Sequence, residues 1–231
     1  MKITKLNDDS SWLIDFTETT LLIDPIFESN EMDNFQNFSN QFNNTNLETT
    51  LKETFFIFVS NKYNDHCHKS TLLKFNENTP IIGEKKVLNK IKKWAYFKNL
   101  YALNEAPFTI TKYNGKYLLD LKHASFLIEF EDKSILYAPH GTKSTKIPKA
   151  SVLIATTSKY QLPFWLGGTI NLGYSASVKL LRKCQCRVML STHSNHRSHV
   201  FLELFARKKH VNKKNVNTKI KFLQQGETLS F

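Results

Sequence analysis

Phe55-Phe56-Ile57-Phe58-Val59-Ser60-Asn61-Lys62-Tyr63-Asn64-Asp65-His66-Cys67-His68 is the stretch on which the fold turns. Phe55 to Val59 is a continuous apolar run of strand length, the pattern of a strand buried on both faces. It empties directly into a polar segment holding Asp65, His66 and His68. Loops just past strand ends are fixed by the scaffold yet remain accessible, so binding and catalytic groups concentrate there. The same arrangement recurs twice. A strand over 187–191 runs into Thr192-His193-Ser194-Asn195-His196, and one over 134–137 runs into Ala138-Pro139-His140-Gly141. Five of the eight histidines fall in these three turns, which random scatter would rarely do.

Imidazole and carboxylate are the usual ligands of zinc, iron or manganese, and three protein ligands leave positions open for water or substrate. Asp65 and His66 can supply two ligands from one rigid loop. The same residues read equally well as a turn-capping carboxylate and a hydrogen-bonded imidazole. The pair alone does not choose between these readings.

Outward from this stretch, strands are predicted at 2–6, 11–16 and 20–23, the last ended by Asp24-Pro25, because proline cannot continue a ladder. Residues 28–52 form a polar, Asn-rich loop. A short helix over 70–75, a strand at 80–82, a helix over 84–94 with Val87, Leu88, Ile91 and Trp94 on one face, and a strand at 99–103 follow. The middle reverts to antiparallel strands at 108–112, 116–121, 125–130 and 134–137, with turns at Asn114-Gly115 and Asp132-Lys133. A buried strand at 151–155, a helix over 174–183, the strand at 187–191, a helix over 198–208 and a strand at 219–223 complete the chain. β-rich and βα segments thus occur once in each half. A four-layer αββα sandwich of the mixed α/β (α+β) class accounts for this better than a doubly wound parallel sheet. The 231 residues are read as one domain.

Composition bounds the function. Seven glycines contain no phosphate loop or dinucleotide fingerprint. No apolar run approaches the roughly 18 residues of a membrane span, and the first residues lack the apolar region of a signal peptide. Cys67, Cys184 and Cys186 cannot all pair, and Cys-x-Cys closes too tight a loop for a comfortable disulfide. They read as buried small hydrophobes in a reducing cytoplasm, with Cys184-Gln185-Cys186 as a metal pair the alternative. The formal net charge is +12, and from Lys179 onward only Glu203 and Glu227 oppose a dozen Lys and Arg. That basic C-terminal region suits nucleic acid or another anionic partner; a Lys- and Asn-rich composition throughout the chain explains it as well.

The order of the pieces resembles the metallo-β-lactamase fold superfamily, in its branch of small beta-lactamase-like metal-dependent hydrolases. Met1 to Leu6, Ser11-Trp12-Leu13-Ile14 and Leu21-Leu22-Ile23-Asp24-Pro25 look like that branch's opening strands. Phe58-Val59-Ser60 leads into the place of its HxHxDH motif. The likeness covers essentially the whole chain. The family's first two histidines fall on Asn61 and Tyr63, and its later histidine has no clear counterpart. Its metal-bridging aspartate falls on Ala138-Pro139-His140. The resemblance implies that Asp65, His66 and His193 survive as one half of a two-metal site, with His140 or His68 as a further ligand or proton carrier. "DHCH" with "PHG" is similar to a divergent subgroup known from cyanobacteria and plants.

What this implies is a hydrolase with one divalent metal, zinc first and manganese or iron next. It would activate water against an unidentified ester, lactone, amide or phosphodiester. The competing expectation is a catalytically inactive protein that uses the fold to bind metal, nucleic acid or protein. Tyr160 to Gly168 is expected either to line the pocket or to pack as an apolar loop.

Overall fold

The computed structural model describes residues 1–27, 50, 52, 54–115, 123–193, 204–211 and 217–231. The expected Asn-rich loop falls almost wholly outside them, as do the strand at 116–121, His196 and most of the helix over 198–208. The chain divides into two compact units, Met1–Phe108 with Gln224–Phe231, and Thr109–Leu223.

The first unit is built on a seven-stranded sheet. β1 (Lys2–Lys5), β2 (Trp12–Asp15) and β3 (Thr20–Ile23) form an antiparallel meander; β4 (Phe56–Val59), β5 (Ile81–Gly83) and β6 (Leu100–Tyr101) continue it in parallel. Helices α1 (Lys69–Leu72) and α2 (Lys85–Lys92) are the crossovers. The spacing of Val87 and Ile91 puts both on the buried face of α2, where they join Leu13, Leu22, Ile57, Val59, Leu72 and Ile81 in one core, with Trp94 at its margin.

The second unit repeats the plan. β7 (Thr109–Tyr113), β8 (Ser125–Phe130) and β9 (Lys133–Ala138) are antiparallel; β10 (Val152–Thr156), β13 (Val188–Thr192) and β15 (Ile220–Lys221) extend the sheet in parallel. Helix α3 (Tyr174–Lys183) packs Leu180 and Leu181 against Leu136, Leu153 and Met189. Cys184 and Cys186 belong to this core, so they are the small hydrophobes the sequence suggested. A three-stranded sheet joins β11 (Lys159–Gln161), β12 (Thr169–Leu172) and β14 (Arg207–Lys209).

Three local expectations need correction. Arg207 and Lys208, assigned to a helix, lie in β14, which pairs with β11 through Tyr160↔Lys208 and Gln161↔Arg207. Tertiary pairing overrides propensity there. The β8–β9 turn is Glu131-Asp132, not Asp132-Lys133: Phe130 pairs with Lys133, and Glu131 takes the left-handed φ of 52° that a two-residue hairpin requires. Thr228–Ser230 forms a further strand, β16, paired with β1, where no strand was expected. Among the described residues, no helix is long and apolar enough to cross a membrane.

Candidate metal centre

In each unit the candidate side chains sit at the C-terminal ends of parallel strands, the edge where open α/β sheets place ligands. Asp24 follows β3 directly and Ser60 follows β4 directly. Asp24 is fully buried, with a left-handed φ of 44° that a short polar side chain tolerates. Its carboxylate accepts the Ser60 N–H at Oδ1 (2.7 Å), the Ser60 hydroxyl at Oδ2 (2.6 Å) and the His66 Nδ1–H at Oδ2 (2.7 Å). Because the carboxylate is an acceptor, His66 carries its proton on Nδ1 and turns the Nε2 lone pair outward. Asp65 Oδ2 lies 3.6 Å from that Nε2. Ligand bonds of about 2.0–2.2 Å at tetrahedral angles set two donor atoms about 3.3–3.6 Å apart, so the spacing fits two donors sharing one cation.

The loop bearing this pair is fixed from several sides. The backbone N–H groups of His66 and Cys67 both donate to the Tyr63 carbonyl, and the Ser10 hydroxyl donates to that of Asp65. Lys90 on α2 donates from Nζ to the Lys62 carbonyl (2.8 Å) and to Asn64 Oδ1 (2.7 Å). Burial pushes the Cys67 thiol up to about 12, because the thiolate would lose its hydration, although the Lys90 ammonium opposes the shift. The thiol form therefore dominates at pH 8. Incubated with a thiol-reactive disulfide reagent at that pH, the folded protein should leave Cys67 unmodified, whereas denaturant should expose it to rapid reaction. Fast labelling of Cys67 in the folded state would contradict its burial.

In the second unit, His140 sits in the turn after β9, closed by the Gly141 N–H donating to the Ala138 carbonyl (2.8 Å). Gly141 has a φ of 82°, and a Cβ there would lie 3.0 Å from Leu172 Cβ. The buried His140 ring donates from Nδ1 to Asn171 Oδ1 (2.8 Å), which leaves Nε2 as its lone-pair atom, as in His66. Asn171 is on β12, and the neighbouring Leu172 N–H donates to the His140 carbonyl. His193 follows β13 directly, is buried, and has a φ of 46°. Its ring stacks on that of His140 with centroids 4.7 Å apart.

Among the described residues, His66, His140 and His193 qualify as a group able to hold a metal ion. Asp65 is not in that group and its side chain is 30% exposed. His68 is occupied in a different way: its Nδ1 lies 2.8 Å from Thr71 Oγ1, which also accepts the Phe27 N–H, so it ties α1 to the segment after β3. Asn61 is half-buried and Tyr63 exposed at 45%. Two supporting residues escaped the sequence. Asp24 was read only as a strand terminator, although a carboxylate directly after a buried strand is itself a signal. Asn171 has no local signal, since its partner is 31 residues away.

The whole chain aligns with solved structures of low sequence identity. It matches the isothiocyanate hydrolase from Delia radicum gut bacteria at 19% identity and TM-score 0.71, over 100% of this chain and 99% of that one. It matches the metallo-beta-lactamase fold protein YhfI from Bacillus subtilis at 14% and 0.65, over 99% of each chain. Zn(2+)-bound PqqB from Methylobacterium extorquens is similar at 12% and 0.59, over 100% of both. No family model and no curated protein sequence matches the chain. The chain has the metallo-β-lactamase fold.

Proposed function

We propose that on this metallo-β-lactamase fold the chain is a metal-dependent hydrolase with a single divalent ion, held by His66, His140 and His193 with Asp65 as the carboxylate ligand. The observation that carries the reading is the second layer of the site. Two buried imidazoles each have Nδ1 engaged by an oxygen acceptor, Asp24 Oδ2 at 2.7 Å and Asn171 Oδ1 at 2.8 Å. This is how proteins present Nε2 to a metal, fixing both tautomer and ring direction. Imidazoles with one carboxylate favour zinc, and manganese or iron are compatible with the same set. Such an ion acidifies water and polarises a carbonyl or phosphoryl oxygen. The chain's own contribution is orientation: Asp24 and Asn171 hold the rings of His66 and His140. Ester, lactone, amide and phosphodiester substrates all fall within that chemistry. The three buried free thiols support a reducing compartment such as the cytoplasm.

Elemental mass spectrometry on protein purified without a His-tag tests the reading. About one equivalent of metal is expected in the wild type, with near-background content in His193→Ala and a lower content in Asp65→Ala. No metal after incubation with Zn, Mn and Fe would sink it and favour a non-catalytic binding protein. Metal retained in full by His193→Ala would remove that residue from the ligand set.

A further inference from the structure

Among the described residues of the second unit, the exposed large apolar side chains are Phe164, Trp165, Leu204 and Phe205. Between β11 and β12 the chain makes a single 3-10 turn, Phe164–Leu166, preceded by Pro163 and closed by Gly167, whose φ of 113° reverses the chain. Phe164 is 94% exposed and Trp165 78%. Leu204 is 77% exposed and Phe205, just before β14, 44%. Leu162, Phe164, Trp165 and Phe205 line a cavity of about 350 Å³ together with Arg207. Full exposure of adjacent large rings is costly in water, and contiguous patches of this kind mark surfaces that meet a partner.

The strands behind this tip are basic. In the β11–β14 ladder Lys159 lies opposite Lys209 and Gln161 opposite Arg207. Directly opposed residues of antiparallel strands share a face, so Lys159, Lys209 and Arg207 present three exposed cations together. Lys208 points the other way, its ammonium over the buried Tyr160 ring. A like-charged cross-strand pair is destabilising unless an anion is near. Residues 159–173 and 204–211 contain no Asp or Glu to supply one.

The geometry points to this hairpin and β14 as a docking surface for an anionic phospholipid membrane. Phe164 and Trp165 would enter the headgroup boundary, and Lys159, Lys209 and Arg207 would meet the lipid phosphates. Trp is suited to that boundary because its ring is apolar and its N–H can stay wet. Stable attachment needs two signals, apolar insertion and a polybasic patch, and both are present within one small sheet. Leu162 and Pro163 line the same cavity and offer no plane on which a base can stack, which favours lipid over nucleic acid. The inference does not depend on the metal centre.

Co-sedimentation of the full chain with phosphatidylcholine vesicles, with and without phosphatidylserine, tests it. Binding is expected only to the phosphatidylserine vesicles, falling as salt is raised. Lys159→Gln with Lys209→Gln should weaken it roughly 30-fold, the equivalent of about 1 kcal/mol per cation. Phe164→Ser with Trp165→Ser should reduce it to the level of neutral vesicles. Unchanged thermal unfolding identifies variants that remain folded, and the two pairs test charge and insertion separately. No preference for phosphatidylserine, or binding untouched by either pair, would overturn the proposal. So would a dimer in lipid-free solution that Phe164→Ser with Trp165→Ser abolishes, or tighter tip-dependent binding to a single-stranded oligonucleotide. Those outcomes assign the surface to a second copy or to nucleic acid.

Discussion

Asp24→Asn should lower affinity for the metal about 10- to 100-fold, although the residue is not itself a ligand. The amide keeps the volume and can still accept the Ser60 N–H through its oxygen. It cannot accept from both Ser60 and His66, and an amide N–H turned toward Nδ1 makes that nitrogen the acceptor. His66 then carries its proton on Nε2, the atom needed for ligation. Asp24→Ala should be worse for the fold as well. It leaves a buried Ser60 N–H, its hydroxyl and the His66 ring without their common acceptor, at a cost of about 1–3 kcal/mol for each group left unsatisfied. Competition with a chromophoric chelator reads the first effect and urea denaturation the second. If Asn at 24 binds metal as tightly as Asp, Asp24 does not orient His66 for a metal, and the mononuclear reading loses its strongest support.

Gly173→Ala should damage stability and the orientation of His140 together. Gly173 has φ 79° and ψ −174°, a backbone region open essentially to glycine alone. A Cβ there would lie 2.7 Å from Lys159 Cβ and 3.0 Å from the Lys159 backbone, so β11 must move. Strain of about 1–3 kcal/mol plus displacement of similar size predicts a loss of about 2–5 kcal/mol, visible as a lower urea midpoint. The displaced strand pairs with β12, whose Asn171 orients His140. Weaker metal binding should therefore accompany the lost stability. Destabilisation with metal affinity unchanged would show that His140 does not need the hairpin for its orientation.

Much of this protein was legible locally. The apolar run through Phe58 and Val59, the helical spacing of Val87 and Ile91, and the uninterrupted helix over 174–183 are patterns that burial imposes within one element. They are readable one segment at a time, and the resemblance that assembled them was right about the fold. The same holds for the turns bearing His66, His140 and His193, since a histidine just past a strand end is a local feature. Errors arose where an outcome depended on a distant partner. Arg207 and Lys208 have respectable helix propensity, yet β11 offers a ladder, and hydrogen bonding to it outweighs a few tenths of a kcal/mol per residue. Thr228–Ser230 is a strand because Lys2–Thr4 lies beside it, a fact absent from its own sequence.

The sequence by itself determined most of the element types, the two-fold alternation of β and βα segments, and the presence of imidazole and carboxylate at strand ends. Only the tertiary structure decided which histidine had which role. His66 and His68 are two residues apart in similar chemistry, yet one meets the Asp24 carboxylate and the other the Thr71 hydroxyl. The reason is physical: side-chain type sets what a residue can bind, but tautomer and direction are set by the acceptor across from it. That acceptor is 42 residues away for His66 and 31 for His140, brought into place by strand pairing and turn geometry.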